Sequence, residues 1–205
     1  MEPNETYPQH PVYDKNTIEF VTVAAEYCAF IENCRRLTSK AFLEKSVKLL
    51  SLLYLKSSLI PDMVDTAFSD LQQFVTETSY ELIRQKVSQV IGEHDEYLEV
   101  FHDDMKYSDT PIVAYISEDL ADVYQDLKDM IGNFQSADIN VMSDCLRDCK
   151  DNFQDFWGQK LLNALRAMHC ILYSKDTVWE EDDEETDLMD DESADVNTEI
   201  DFFDE

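Results

Sequence analysis

The 205-residue sequence predicts an all-α fold, a single-domain helical bundle or irregular α-array of about seven helices without strands, followed by an acidic tail. Three observations carry this. Apolar residues recur at spacings of three and four through most of the chain, and no stretch alternates with period two. The five prolines and three glycines fall mostly at the edges of the periodic stretches. An irregular lead-in is expected over 1–15, a helical domain over 16–178 and the tail over 179–205.

The first helix opens on Asn16-x-x-Glu19, which reads as a capping box, and carries Phe20, Val23, Ala24, Tyr27, Phe30, Ile31 and Cys34 along one face. In the second, about 39–57, Phe42, Leu43, Val47, Leu49, Leu50, Leu52, Leu53, Tyr54 and Leu55 cover most of the circumference, which predicts a central helix. Pro61 opens a third, with Val64, Phe68, Leu71 and Val75 inward. Thr78-x-x-Glu81 reads as the capping box of a fourth, whose stripe is Tyr80, Ile83, Val87 and Val90. Gly92 and Gly132 suit helix ends, and a short fifth helix after Gly92 would bury Leu98, Phe101 and Met105.

From Pro111 to about Phe134 the sixth helix sets Ile116, Leu120, Val123, Leu127 and Ile131 against a solvated face of Glu118, Asp122, Asp126 and Asp129. The seventh, about 137–173, carries Met142, Cys145, Cys149, Phe153, Phe156, Leu161, Leu165, Met168 and Leu172. Gly158 is expected to bend it, because glycine weakens a helix interior by roughly 1 kcal/mol.

The formal charge is −29, and the domain without residues 180–205 still has 30 acidic against 16 basic residues, or −14. That balance opposes nucleic-acid binding and anionic membranes, both of which draw affinity from Lys and Arg, and it favours a protein partner with a basic surface. Five cysteines without a CxxC pair read as reduced thiols of a cytoplasmic protein. The N-terminal residues contain neither the basic nor the apolar region of a signal peptide. Lys48 and Lys56 interrupt the most apolar stretch well short of the roughly 20 residues a bilayer demands.

Met105-Lys106-Tyr107-Ser108-Asp109-Thr110-Pro111, Ser117-Glu118-Asp119-Leu120-Ala121-Asp122 with Tyr124-Gln125-Asp126, and Trp157-Gly158-Gln159-Lys160 give the chain its most distinctive pieces. Over about 14–173 it resembles a family of uncharacterised bacterial helical proteins, the domain of unknown function 5063. The resemblance implies an all-helical, cytoplasmic, bacterial protein and assigns no catalytic residue or cofactor.

Paired acids raise the question of metals. Glu99-x-x-His102 is a single copy of a motif that a di-iron bundle needs twice. Glu93-x-x-Glu96 followed by Asp119-x-x-Asp122 has the form of a Mg²⁺ site in an all-α nucleotide pyrophosphatase, in which four oxygens hold a cation that bridges phosphates. That hydrolase is the alternative reading, and Mg²⁺ belongs to it alone. A solvated acidic face explains the same residues without a cofactor. Ser108 and Thr110 stand where a phosphate could meet a helix N-terminus, although Asp109 or Thr110 also serves as a plain N-cap. Cys145 and Cys149 share a face as zinc ligands would, and as buried core thiols would too. His10, His94, His102 and His169 have no nucleophile motif around them.

The tail holds fifteen carboxylates and no Lys or Arg. Its repulsion is only partly screened over the Debye length of about 8 Å, so it is expected to stay disordered, at most transiently docked. Its anchors would be Phe202 and Phe203, and its docking surface the basic stretch of Arg35, Arg36, Lys40, Lys45, Lys48 and Lys56. The leading expectation is a non-enzymatic interaction or adaptor module whose tail docks a basic partner.

Overall fold

The computed structural model describes residues 10–63, 70–99, 112–177 and 179. Val64, Phe68, Phe101, His102, Met105, the Ser108–Pro111 loop, Phe202, Phe203 and the tail from 180 onward lie outside the described residues. The elements are α1 (Lys15–Glu32), α2 (Ser39–Ser58), α3 (Glu77–Ile91), β1 (Glu96–Leu98), β2 (Val113–Tyr115), α4 (Ile116–Phe134), α5 (Ile139–Asn152) and α6 (Gly158–Tyr173). A π turn over Phe153–Trp157 joins the last two into one continuous helical run. The fold is mostly helical, with one small antiparallel ribbon that pairs Glu96 with Tyr115, Tyr97 with Ala114 and Leu98 with Val113. No helix among the described residues is long and apolar enough to cross a membrane.

Caps explain most helix starts. Asp14 accepts from Asn16 N at 2.8 Å and begins α1, so Asn16 and Glu19 are not its capping box; Glu19 instead faces Lys15 and Lys56. Thr76 and Ser79 form the capping box of α3, two residues before the expected one, because their hydroxyls reciprocally satisfy the Ser79 and Thr76 amides. Tyr115 has no side chain to cap α4. Asp95 does so from beyond the ribbon: its carboxylate accepts from Ser117 N at 2.8 Å and Ser117 Oγ at 2.7 Å, and its carbonyl accepts from Ile116 N. The sixth predicted helix therefore starts at Ile116 and not at Pro111.

Three expected helical segments differ. Residues 61–63 and 70–75 are not helical; Asp129 Oδ1 takes the amides of Phe74 and Val75, and Asn133 bonds both backbone groups of Gln72. Side chains of α4 thus do for this segment what a helix's own carbonyls would have done. After Gly92, which closes α3 at φ +65°, a single 3-10 turn leads into β1, so the described part of the expected fifth helix, up to Leu98, is a turn and a strand. Gly132 lies near the end of α4 as expected, two residues before its last, with the Phe74 ring against it.

The central helix is α4, which packs on α1, α3, α5 and α6. Three of the acids expected on its solvated face are half-buried and bond neighbours: Tyr80 donates to Asp122, Asn152 to Asp126, and the Phe74 and Val75 amides to Asp129. From α1, the buried Tyr27 hydroxyl donates to the Leu120 carbonyl, while Tyr124 and Lys128 both donate to Glu32. The second helix is not central. Packed mainly on α1 and α6, it leaves Leu52 41%, Tyr54 37% and Leu55 52% exposed, because its two neighbours cover only one side of an almost wholly apolar cylinder.

The π turn corrects the seventh helix. Phe156, expected inward, is 47% exposed, whereas Trp157 is fully buried and donates from Nε1 to the Cys149 carbonyl at 3.0 Å. The extra residue of an i→i+5 turn rotates the following helix and moves the inward position one step along the chain.

Candidate functional site

The densest polar constellation lies where the ribbon, α3, α4 and α6 meet. Asp119, 1% exposed, accepts from the Tyr97 hydroxyl and sits 3.1 Å from Lys160 Nζ. The same ammonium is 3.5 Å from Asp122, which accepts from the Tyr80 hydroxyl at 2.7 Å. Burial pushes the Asp119 carboxyl up to about 6, against the pull of Tyr97 and Lys160. Burial also works against the Lys160 ammonium, but the two aspartates outweigh it and raise its pKa. Burial first, and then Asp119 or Asp122, raises the Tyr97 and Tyr80 phenols. One cation and two phenols thus share two carboxylates, one fully buried and one near the surface, and the result is a clamp between ribbon and bundle.

Of the four carboxylates assigned to Mg²⁺, Asp119 and Asp122 come together on Lys160, whereas the Glu93 side chain is 88% exposed and Glu96 points to solvent at the ribbon. Among the described residues no three His, Cys, Asp or Glu side chains are arranged to hold a metal ion, so these four are not such a group, nor do Cys145 and Cys149 belong to one. Both thiols are 2% exposed; burial drives Cys145 up to about 12 and Cys149 well above the usual range, so neither supplies a thiolate at neutral pH. Glu99 accepts from Asn163, and His169 is an exposed ring tilted against Tyr173 at 4.7 Å. Sequence reasoning missed Tyr97, Tyr80, Asp95 and Lys160. For Lys160 a signal existed: it is one of few cations and closes the distinctive Trp157–Lys160 motif.

A second feature is a cavity of about 240 Å³ lined by Asp126, Asp129, Asp148, Cys145, Cys149 and neighbouring amides. Burial lifts Asp126 to about 6 in spite of its bond from Asn152, and Asp148, Asp122 and Asp129 add to the rise. Its folded pKa lies above the unfolded value of about 3.9. Ionised Asp126 therefore weakens the fold above pH 6, less so as the pH falls through 6, and not at all once both states are protonated below about pH 4. Asn can still accept from Asn152. Asp126→Asn is accordingly expected to stabilise by about 1 kcal/mol at pH 7.5, with water screening the rest, and to confer nothing at pH 4. Urea unfolding at the two pH values checks this, and a loss of stability at pH 7.5 would refute it.

The third feature is the outer side of α2. Lys45, Lys48, Leu52, Leu55 and Leu59 recur at alternating steps of three and four and so form one stripe, basic in its first half and apolar in its second. Leu52, Leu55 and Leu59 are 41%, 52% and 44% exposed. Of the expected basic surface, Arg35 donates to Gln89 and Lys56 to Glu19. Arg36, Lys40, Lys45 and Lys48 are exposed and make no ion pair or side-chain hydrogen bond among the described residues.

Fold and site together define a helical protein whose small ribbon is clamped to a central acidic helix. The chain belongs to the family of the domain of unknown function DUF5063, whose model matches residues 11–174. It is similar to the crystal structure of protein BF1032 from Bacteroides fragilis: 41% identity, a TM-score of 0.74, and coverage of 83% of this chain and 100% of that one. No curated protein matches the sequence.

Proposed function

We propose that the chain is a non-enzymatic, cytoplasmic interaction or adaptor module whose acidic tail docks a protein with a basic surface. The observation that supports this reading is the division of charge. Within the domain Lys15, Lys56, Arg84, Lys128, Arg147, Lys150 and Lys160 each pair with a carboxylate, so many of the domain's few cations are already engaged. Residues 180–205 add fifteen carboxylates with no cation among them, and place Phe202 and Phe203 between the last of these. A segment of that composition suits a partner with an apolar groove rimmed by Lys and Arg, where charge speeds encounter and the two rings supply contact area.

The test is affinity capture with the full chain and with a chain ending at Trp179, each at low and moderate salt. A basic protein retained by the full chain and lost with the tail is the expected result, with retention falling as salt rises. Equal capture by both chains would refute the tail's role.

A further inference from the structure

We infer that in the free protein residues 180–205 lie along the outer side of α2, with the acidic run against Lys40, Lys45 and Lys48 and with Phe202 and Phe203 over Leu52, Leu55 and Leu59. The contact stands by itself; that a partner must displace the tail from it rests on the adaptor reading above.

Four observations lead there. The first is complementary charge: in a protein of net charge −29, Arg36, Lys40, Lys45 and Lys48, which make no ion pair among the described residues, lie together in and just before α2, while the sequence of 180–205 holds fifteen acids and no Lys or Arg. The second is the polarity of the helix. No acid occupies the first turn of α2; Arg35 and Arg36 precede it and Lys40 stands in it, at the end where the helix dipole already carries partial positive charge. Anions are what that end lacks. The third is the apolar half of the stripe, where three leucines are about half exposed in succession. Leu52 and Leu55 were expected on a central helix, so this apolar surface adds to the basic stretch named from the sequence.

The fourth is the path of the chain. Trp179, the last described residue, stands edge-on to His94 just beyond α3, and α3 is tied near its end to the turn that precedes α2, by Arg35 to Gln89 and by Lys86 to the Glu32 carbonyl at the end of α1. The tail therefore leaves the domain at the basic end of the stripe. Six acids, 180–185, reach about 20 Å when extended, against about 12 Å between Lys40 and Lys48 on the helix. The order along the tail, acids first and the two phenylalanines last, follows the order along α2, with slack between them that adds little closure entropy. A tethered segment also acts at a millimolar effective concentration, which favours the chain's own tail over that of a second copy.

The test is carbodiimide coupling of carboxylates to lysines in the full chain, on a mixture of natural and ¹⁵N-labelled protein analysed by mass spectrometry. Expected are links within one chain from 180–205 to Lys40, Lys45 and Lys48, in excess of those to the exposed Lys15. Phe202→Ser/Phe203→Ser keeps every charge, and Leu55→Ser alters an exposed residue that leaves the core intact; each should cut these links by at least about tenfold, the loss expected for removing even one buried apolar side chain. Even spread over all lysines, or insensitivity to both variants, would overturn the proposal. Links between labelled and unlabelled chains would overturn it in favour of a second copy. Links that persist while the full chain captures no basic protein would refute the adaptor reading and leave the contact standing.

Discussion

Lys160→Met is expected to lower stability by about 2–4 kcal/mol at pH 7.5, because it removes the only cation, among the described residues, that pairs with a carboxylate 1% exposed. With Lys160 gone, the Tyr97 hydroxyl alone would hold the Asp119 charge, and the carboxyl, already raised to about 6 by burial, would rise further. The sign of the pH dependence follows. The folded pKa exceeds the unfolded value of about 3.9, so the penalty is present above the folded pKa and fades as the pH falls through it. Urea unfolding should show a large loss at pH 7.5 and a smaller one at pH 5. Lys160→Met/Asp119→Asn, which removes both charges, should recover most of it. An equal loss at both pH values would mean that Asp119 is not the source.

Gly158→Ala is expected to lower the melting temperature by about 5–10 °C, the equivalent of about 2–3 kcal/mol in a chain of this length. Its direction is what discriminates. In an ordinary helix interior the same change stabilises by roughly 1 kcal/mol. Here a Cβ at 158 would overlap the Phe153 carbonyl oxygen and come within 2.9 Å of the Phe153 ring. That ring is held on both sides, 4.8 Å from Trp157 and 5.2 Å from Tyr54. The crowding exists because the π turn brings a carbonyl five residues back against the glycine. Scanning calorimetry of the variant decides the matter; a raised melting temperature would show a regular α-helix at this point.

The helices were legible where an apolar stripe ran uninterrupted for several turns, as in α1, α3 and α4. The ribbon was not, since strands of three residues such as Glu96–Leu98 are too short to display a period of two. The caps of α1 and α3 misled because Asp14 and Thr76 stood two residues before equally plausible candidates, and only the backbone angle at each position decides between them. The acids of α4 looked solvated because their partners, Tyr80, Tyr97, Asn152 and Lys160, come from distant parts of the chain. For α2 the error ran the other way: composition marks leucines as apolar without saying how much of a helix its neighbours can cover.

The π turn also makes the spacing of this region a matter of counting. Removing any one residue from 153–157 would let the hydrogen bonds fall back to i→i+4, and the local helix would be the better for it. Everything from Gly158 onward would then turn by about 100° and slide by about 1.5 Å, swinging Lys160 off Asp119 and Leu161 out of the core. Substitutions in this stretch are judged one side chain at a time, whereas a single-residue deletion is judged by half the bundle. Aligned sequences of the family should accordingly show exchanges between Cys149 and Lys160 but no gaps.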